Sequence, residues 1–126
     1  MIRKEKRFSL KKRIQSFKFA FNGLKIMIQE EHNARIHLFS AICVAIAGLW
    51  LKISVTGWIA LVLVIGFVIT LEIINSTIEN VADFISPEKH ETIKKIKDLS
   101  AAGVLIGSIT AFITGILVFL PKILEL

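Results

Sequence analysis

Hydrophobic residues occur in three long runs, over about residues 31–51, 58–84 and 98–120. A helix crosses a bilayer with about 20 apolar residues, so each run predicts a transmembrane helix. Before them, apolar side chains recur every three or four residues, with basic and amide side chains between. They are Ile14, Phe17, Phe21, Leu24 and Ile28. This pattern predicts an amphipathic helix over about residues 13–29, lying in the membrane interface or, alternatively, packed on a soluble core.

Composition favours the membrane interpretation. The chain has 126 residues, is 54% hydrophobic and has a mean hydropathy of +0.69, values that a soluble domain rarely reaches. We therefore predict an all-α integral membrane protein: a basic flexible arm over residues 1–12, then a single domain over residues 13–126 with an amphipathic surface helix and three transmembrane helices.

Basic residues are unevenly spread. The net charge is +6, and ten of the sixteen Lys and Arg residues precede Ile36, while four more lie between Lys89 and Lys97. The positive-inside rule then predicts a cytoplasmic N-terminus, a cytoplasmic link between the second and third spans, and a C-terminus outside. With a membrane adjacent, anionic lipid headgroups are a better partner for the basic arm than nucleic acid.

The third span carries small residues at four-residue steps: Gly103, Gly107, Ala111 and Gly115. Such a stripe lets helix backbones approach closely, within a subunit or between subunits. Three helices enclose little interior for polar groups, so we expect a homo-oligomer.

The second span contains polar residues in an otherwise apolar run. Glu72, Asn75, Glu79 and Asp83 are spaced to lie on one helical face. Carboxylates at membrane depth are costly, and they usually face a protein interior and carry function.

This face suggests phosphoryl transfer. Glu31, at the start of the first span, lies at a depth where it can meet Glu79, and two carboxylates suit Mg²⁺ that also takes phosphate ligands. Glu72 lies about 10 Å deeper than Glu79, where it can act as general base on a lipid hydroxyl. The sequence has neither common glycine-rich nucleotide motif, so phosphate binding falls to metal and side chains beyond the second span. These are Glu88, His90, Lys97 and Asp98.

Two alternatives stay open from the residues alone. Glu72 and Glu79 could be structural, paired with Arg35 or a lysine. The chain could also be a non-enzymatic transport subunit that uses both carboxylates as an ion relay. His37 is more simply a packing residue than a metal ligand.

Three motifs resemble the prokaryotic diacylglycerol kinase family, which includes undecaprenol kinases. They are Glu31-x-Asn33, the segment from Glu72 through Asn75 and Glu79 to Asp83, and the segment from Lys97-Asp98 to Ile106. The resemblance covers about residues 17–120. It implies a homotrimer in the bacterial cytoplasmic membrane that phosphorylates a lipid alcohol with ATP and Mg²⁺.

The resemblance also implies roles for individual residues. Glu72 is the catalytic base, and Glu31 and Glu79 are metal ligands. The resemblance assigns ATP contacts to Glu31, Asn75, Glu79, Glu88, His90, Lys97, Asp98 and, more weakly, Lys12. It assigns the lipid substrate to Glu72, Asn33 and Arg35.

Two departures affect the expected lipid. His37 and Lys89 stand where Gram-negative-type members carry glutamate and tyrosine. The spacing of Glu31, Asn33 and His37 is more similar to the branch with undecaprenol kinases. Diacylglycerol and undecaprenol are therefore both expected substrates.

Overall fold

The computed structural model describes residues 7–126, which form four helices. They are α1 (Leu10–Glu30), α2 (His32–Leu51), α3 (Val55–Ile85) and α4 (Glu91–Leu124). The last three are each long and apolar enough to cross a membrane, so the predicted all-helical, multi-pass membrane architecture is confirmed. Residues 1–6 of the predicted flexible arm lie outside the described residues.

Helix α1 begins three residues earlier than the pattern indicated. The Ser9 hydroxyl accepts a hydrogen bond from the Lys12 backbone N–H at 3.4 Å, and this cap satisfies a donor that has no partner inside the helix. Met27 is buried, whereas Phe17 and Phe21 are each 68% exposed. The helix thus leaves its aromatic side chains uncovered by the rest of the subunit, and its place in the membrane interface stays a prediction.

The chain reverses between α2 and α3 within three residues. Lys52 ends α2 in the left-handed conformation, with φ 53° and ψ 54°, and the Ser54 hydroxyl accepts a hydrogen bond from the Gly57 N–H at 3.2 Å to start α3. Gly48 permits this short link, because a Cβ there would stand 2.8 Å from the Trp58 ring. Helix α3 therefore starts before the predicted residue 58.

Helices α3 and α4 form the main packing of the subunit. A Cβ at Gly107 would lie 2.6 Å from Leu71 Cδ1, so the backbones approach as closely as the small-residue stripe predicted for contact within a subunit. At Gly103 a Cβ would meet nothing within 4 Å. That glycine faces open space in the single subunit.

Helix α4 is longer at both ends than predicted. It begins at Glu91 because His90 Nδ1 accepts a hydrogen bond from the Thr92 N–H at 3.1 Å. It continues through Pro121 to Leu124. A proline removes one helical hydrogen bond and disfavours the turn before it, yet it does not always end a helix.

One stripe of α3 faces the interior along most of the helix. Its buried residues recur every three or four positions: Leu61, Val64, Val68, Glu72 and Ser76. The stripe is apolar up to Val68 and polar from Glu72. Helix α3 therefore carries the transition from an apolar to a polar interior.

Candidate active site

Glu72 is the most deeply buried polar residue of the site, with 2% of its surface exposed. Its Oε2 atom has no hydrogen-bond partner, and the nearest basic group is His37, whose Nε2 lies 3.6 Å away. A buried carboxylate oxygen without a partner is costly. Within the single subunit, Glu72 Oε2 is therefore a buried acceptor that no protein donor satisfies.

Arg35 does not pair with Glu72. Its guanidinium donates a hydrogen bond to the Gln29 carbonyl oxygen at 3.3 Å, across the junction of α1 and α2. Within residues 7–126, no lysine or arginine forms an ion pair with Glu72 or Glu79. The alternative in which these glutamates are paired with Arg35 or a lysine therefore finds no support in the subunit.

Glu31 occupies the bend between α1 and α2, where it is the N-cap residue of α2. Its Oε1 accepts a hydrogen bond from the Ser76 hydroxyl of α3 at 2.7 Å. The bond fixes the Glu31 carboxylate against the polar face of α3. Our sequence analysis missed Ser76, although its position four residues after Glu72 places it on the same face.

Asn75 faces α4 rather than α2. Its Oδ1 accepts a hydrogen bond from the Ser100 hydroxyl at 2.7 Å, another residue that the sequence analysis missed. Because the amide oxygen is engaged, the Nδ2 donors are the part of Asn75 that suits an anion.

One ion pair joins the end of α3 to α4, and a second lies within α4. Lys97 Nζ lies 2.5 Å from Asp83 Oδ1, and Lys94 Nζ lies 2.6 Å from Asp98 Oδ2 on the exposed side of α4. Glu79 is half-buried one turn before Asp83, and its charge acts on both Lys97 and Glu72. The predicted polar face therefore divides its contacts between the two neighbouring helices.

A polar cavity of about 510 Å³ lies at the α3–α4 link. It brings together four residues that the sequence analysis assigned to ATP, along with Asp83 and Lys94. The four are Glu88, His90, Lys97 and Asp98. Since Nδ1 of His90 caps α4, Nε2 is the ring nitrogen that remains for a ligand.

An apolar cavity of about 520 Å³ lies between α2, α3 and α4. Its polar lining residues are His37, Ser40 and Ser108, and the remainder are hydrophobic or glycine. His37 lines this cavity and also faces Glu72. Glu72 itself does not line the cavity, and His37 is the lining residue that stands between the cavity and the buried carboxylate.

Several predicted site residues line neither cavity, and Lys12 and Asn33 are also exposed. Lys12 is exposed near the start of α1, about 28 Å from Glu31 along the helix axis at 1.5 Å per residue. Asn33 is exposed on the first turn of α2. Within the single subunit, neither residue lines a cavity together with the other site residues.

The carboxylates suit a metal ion that shares its coordination with phosphate. No group of three His, Cys, Asp or Glu side chains in residues 7–126 could hold an ion by itself. Mg²⁺ is commonly bound by one or two carboxylates plus substrate phosphates and water. Glu31 and Glu79, whose charges both act on Glu72, provide that smaller donor set.

Comparison with known proteins identifies the family of this chain. The family model for prokaryotic diacylglycerol kinase matches residues 18–119. The chain is 32% identical to an undecaprenol kinase of Bacillus subtilis over 120 residues, 95% of this chain and 98% of the relative. It is 31% identical to a diacylglycerol kinase of Escherichia coli K12 over 80% of this chain and 83% of the relative. A diacylglycerol kinase of Helicobacter pylori J99 is 35% identical over 77% of each chain. The protein therefore belongs to the prokaryotic diacylglycerol kinase family and is a lipid kinase.

Proposed function

We propose that this membrane protein transfers the γ-phosphate of ATP to the hydroxyl group of a membrane lipid, with Mg²⁺ as cofactor. The observation that carries the proposal is Glu72, a buried carboxylate with an unpartnered oxygen next to an apolar cavity. A base at this depth can meet a hydroxyl that is presented from the hydrophobic part of the bilayer. Family membership favours this chemistry over the ion-relay alternative.

In the proposed step, Glu72 accepts the proton of the lipid hydroxyl as its oxygen attacks the γ-phosphorus. A new oxygen–phosphorus bond forms, the bond from the γ-phosphorus to the bridging oxygen breaks, and ADP leaves. A general base contributes about 10²–10⁴-fold in such reactions. The remainder comes from positioning and charge neutralisation.

Mg²⁺ is the proposed cofactor because the site offers two carboxylates, whose oxygen atoms are the ligands that this hard cation prefers. It would be held by Glu31 and Glu79 together with phosphate oxygens, and it would neutralise phosphate charge. The hydrogen bond from Ser76 holds Glu31 in place for this role.

ATP is proposed to occupy the polar cavity at the α3–α4 link. Lys94 and Lys97 bring positive charge to that cavity. Asp98 pairs with Lys94, and Asp83 pairs with Lys97. Asn75 lies on α3 between Glu72 and this cavity. Its amide donors therefore suit the phosphates nearer to Glu72. Lys12, Asn33 and Arg35 stay proposals that rest on the family resemblance.

Diacylglycerol and undecaprenol are the proposed lipid substrates. The relatives carry both names, and similarity to the undecaprenol kinase extends over nearly the full length of both chains. The apolar cavity offers a hydrophobic surface for either lipid. Its lining residue His37 lies 3.6 Å from Glu72.

We further propose a homotrimer in the bacterial cytoplasmic membrane. Gly103 and several large apolar side chains are uncovered in the single subunit, as expected of helices that meet other helices or lipid. The bond between Glu31 and Ser76 brings the α1–α2 bend beside the polar end of α3. Both basic segments thus fall on one side, which supports a cytoplasmic N-terminus and an external C-terminus. An enzymatic reporter fused to the C-terminus tests the orientation, and activity in the cytoplasm would contradict it.

The decisive experiment is phosphate transfer from γ-labelled ATP in mixed micelles with Mg²⁺. Diacylglycerol and undecaprenol are offered in separate reactions, and a third reaction contains detergent alone. We expect label in one or both lipids with the wild-type protein and its loss in Glu72→Gln. Well-folded protein that labels neither lipid would refute the proposed function.

A further inference from the structure

Glu72 and His37 form a close pair that the proposed chemistry does not yet use. The distance of 3.6 Å between Glu72 Oε2 and His37 Nε2 is longer than a hydrogen bond but within reach of an ion pair. The Glu72 side chain is 3% exposed and that of His37 is 23% exposed. A small rotation of the imidazole would close the distance.

His37 is the only basic group that faces Glu72 within residues 7–126. The charged groups acting on the carboxylate are His37 and Glu31 from α2 and Glu79 from α3 itself. Arg35 is directed to the Gln29 carbonyl oxygen, and on α4 Lys97 is paired with Asp83. Among the side chains of residues 7–126, His37 is therefore the one basic group placed next to Glu72.

A general base must be ionised before it can accept a proton. A cation beside a carboxylate favours its ionised form. The His37 imidazole is the side chain placed to supply that cation, with its Nε2 3.6 Å from Glu72 Oε2.

We propose that His37 is a positioning residue for Glu72: its protonated imidazole keeps the carboxylate ionised and aims it at the lipid hydroxyl. The imidazole keeps its own proton during transfer, while the proton of the lipid hydroxyl goes to Glu72. Since His37 also lines the apolar cavity, the pair marks the place where the lipid hydroxyl meets the base. This inference rests on the proposed kinase function.

The first test compares kcat/KM against pH for the wild type, His37→Gln and His37→Lys. In His37→Gln the cation is lost, so the base is ionised only at higher pH, and the acidic limb of the kcat/KM profile moves to higher pH. His37→Lys restores a cation and returns the limb toward the wild type. Glu125→Gln, exposed at the end of α4 and outside both cavities, keeps the wild-type profile.

An unchanged acidic limb in His37→Gln would overturn the inference. So would a lysine variant that loses the same activity as the glutamine variant at every pH. An inactive wild type would instead refute the kinase function itself, so the two failures are distinguishable.

A second test needs no activity and no folding of a His37 variant. The chain has three histidines, so ¹⁵N-histidine NMR in detergent can follow each imidazole. We expect the ring-nitrogen chemical shifts of His37 to differ between the wild type and Glu72→Gln at the same pH, and those of His90 to coincide. Identical His37 shifts in the two proteins would refute the pair.

Discussion

The apolar cavity between α2, α3 and α4 and the polar cavity at the α3–α4 link have nearly equal volumes, about 520 and 510 Å³. They share no lining residue. The first is bounded mostly by aliphatic and aromatic side chains, and the second by lysines, acids and His90. Helices α3 and α4 both contribute to the two cavities, and the lining residues of α3 change character between Ile69 and Asp83.

The difference suits the proposed reaction, which brings together an apolar lipid and a charged nucleotide. The segment of α3 between the cavities contains Glu72, Asn75, Ser76 and Glu79. It is bound to α2 through Ser76 and Glu31 and to α4 through Asn75 and Ser100. A lipid hydroxyl from one side and a phosphate from the other would meet at this segment.

The largest expected effect comes from removing the base between the cavities. Glu72→Gln keeps the shape of the side chain, so nucleotide binding stays near wild type, while kcat falls at least about 100-fold because the general base is lost. Turnover assays and a fluorescent-nucleotide titration measure the two quantities. Glu125→Gln, exposed at the end of α4, is the control. Near-normal turnover in Glu72→Gln would remove this residue from the mechanism.

The next effect should be confined to the polar cavity. Lys97→Met removes a hydrogen bond to a charged ligand worth about 1.5–3 kcal/mol, so the KM for ATP rises roughly 10- to 100-fold while the KM for lipid is unchanged. Lys95→Met is the matched control, because Lys95 is exposed and does not line that cavity. Equal effects of the two substitutions would mean that general charge, not the cavity, binds ATP.

A smaller effect is expected for the metal. Glu79→Gln removes one of two proposed carboxylate ligands, and the Mg²⁺ concentration for half-maximal activity rises about 10-fold or more, the scale of even indirect changes to metal sites. A Mg²⁺ titration at saturating ATP measures it, with Glu125→Gln again as the control. An unchanged titration would argue against a ligand role for Glu79.

The smallest effect tests the helix contact between the two cavities. Gly107→Ala places a Cβ 2.6 Å from Leu71 Cδ1. We expect a loss of about 1 kcal/mol in stability, at the low end for overpacking because the leucine can rotate. Gly23→Ala in α1, where a Cβ also meets nothing within 4 Å, should be neutral or slightly stabilising. Thermal unfolding in detergent compares the pair, and equal shifts would contradict the close contact at Gly107.

Periodicity and composition were enough to predict much of this protein. Three apolar runs predicted three membrane-spanning helices, and the spacing of Glu72, Asn75, Glu79 and Asp83 predicted a single polar face. Helix ends were less predictable. The caps at Ser9 and His90 depend on local side-chain hydrogen bonds, and α4 continues through Pro121, where the sequence alone favoured a stop.

The sequence by itself determined which residues share a face of α3, because helical geometry fixes their angles about the axis. Only the tertiary structure decided which partner each of them meets. It placed His37 against Glu72, Ser76 against Glu31 and Lys97 against Asp83, and it turned Arg35 away. These pairs depend on the rotation and axial offset of separate helices, which are set by side-chain packing such as that of Gly107 on Leu71.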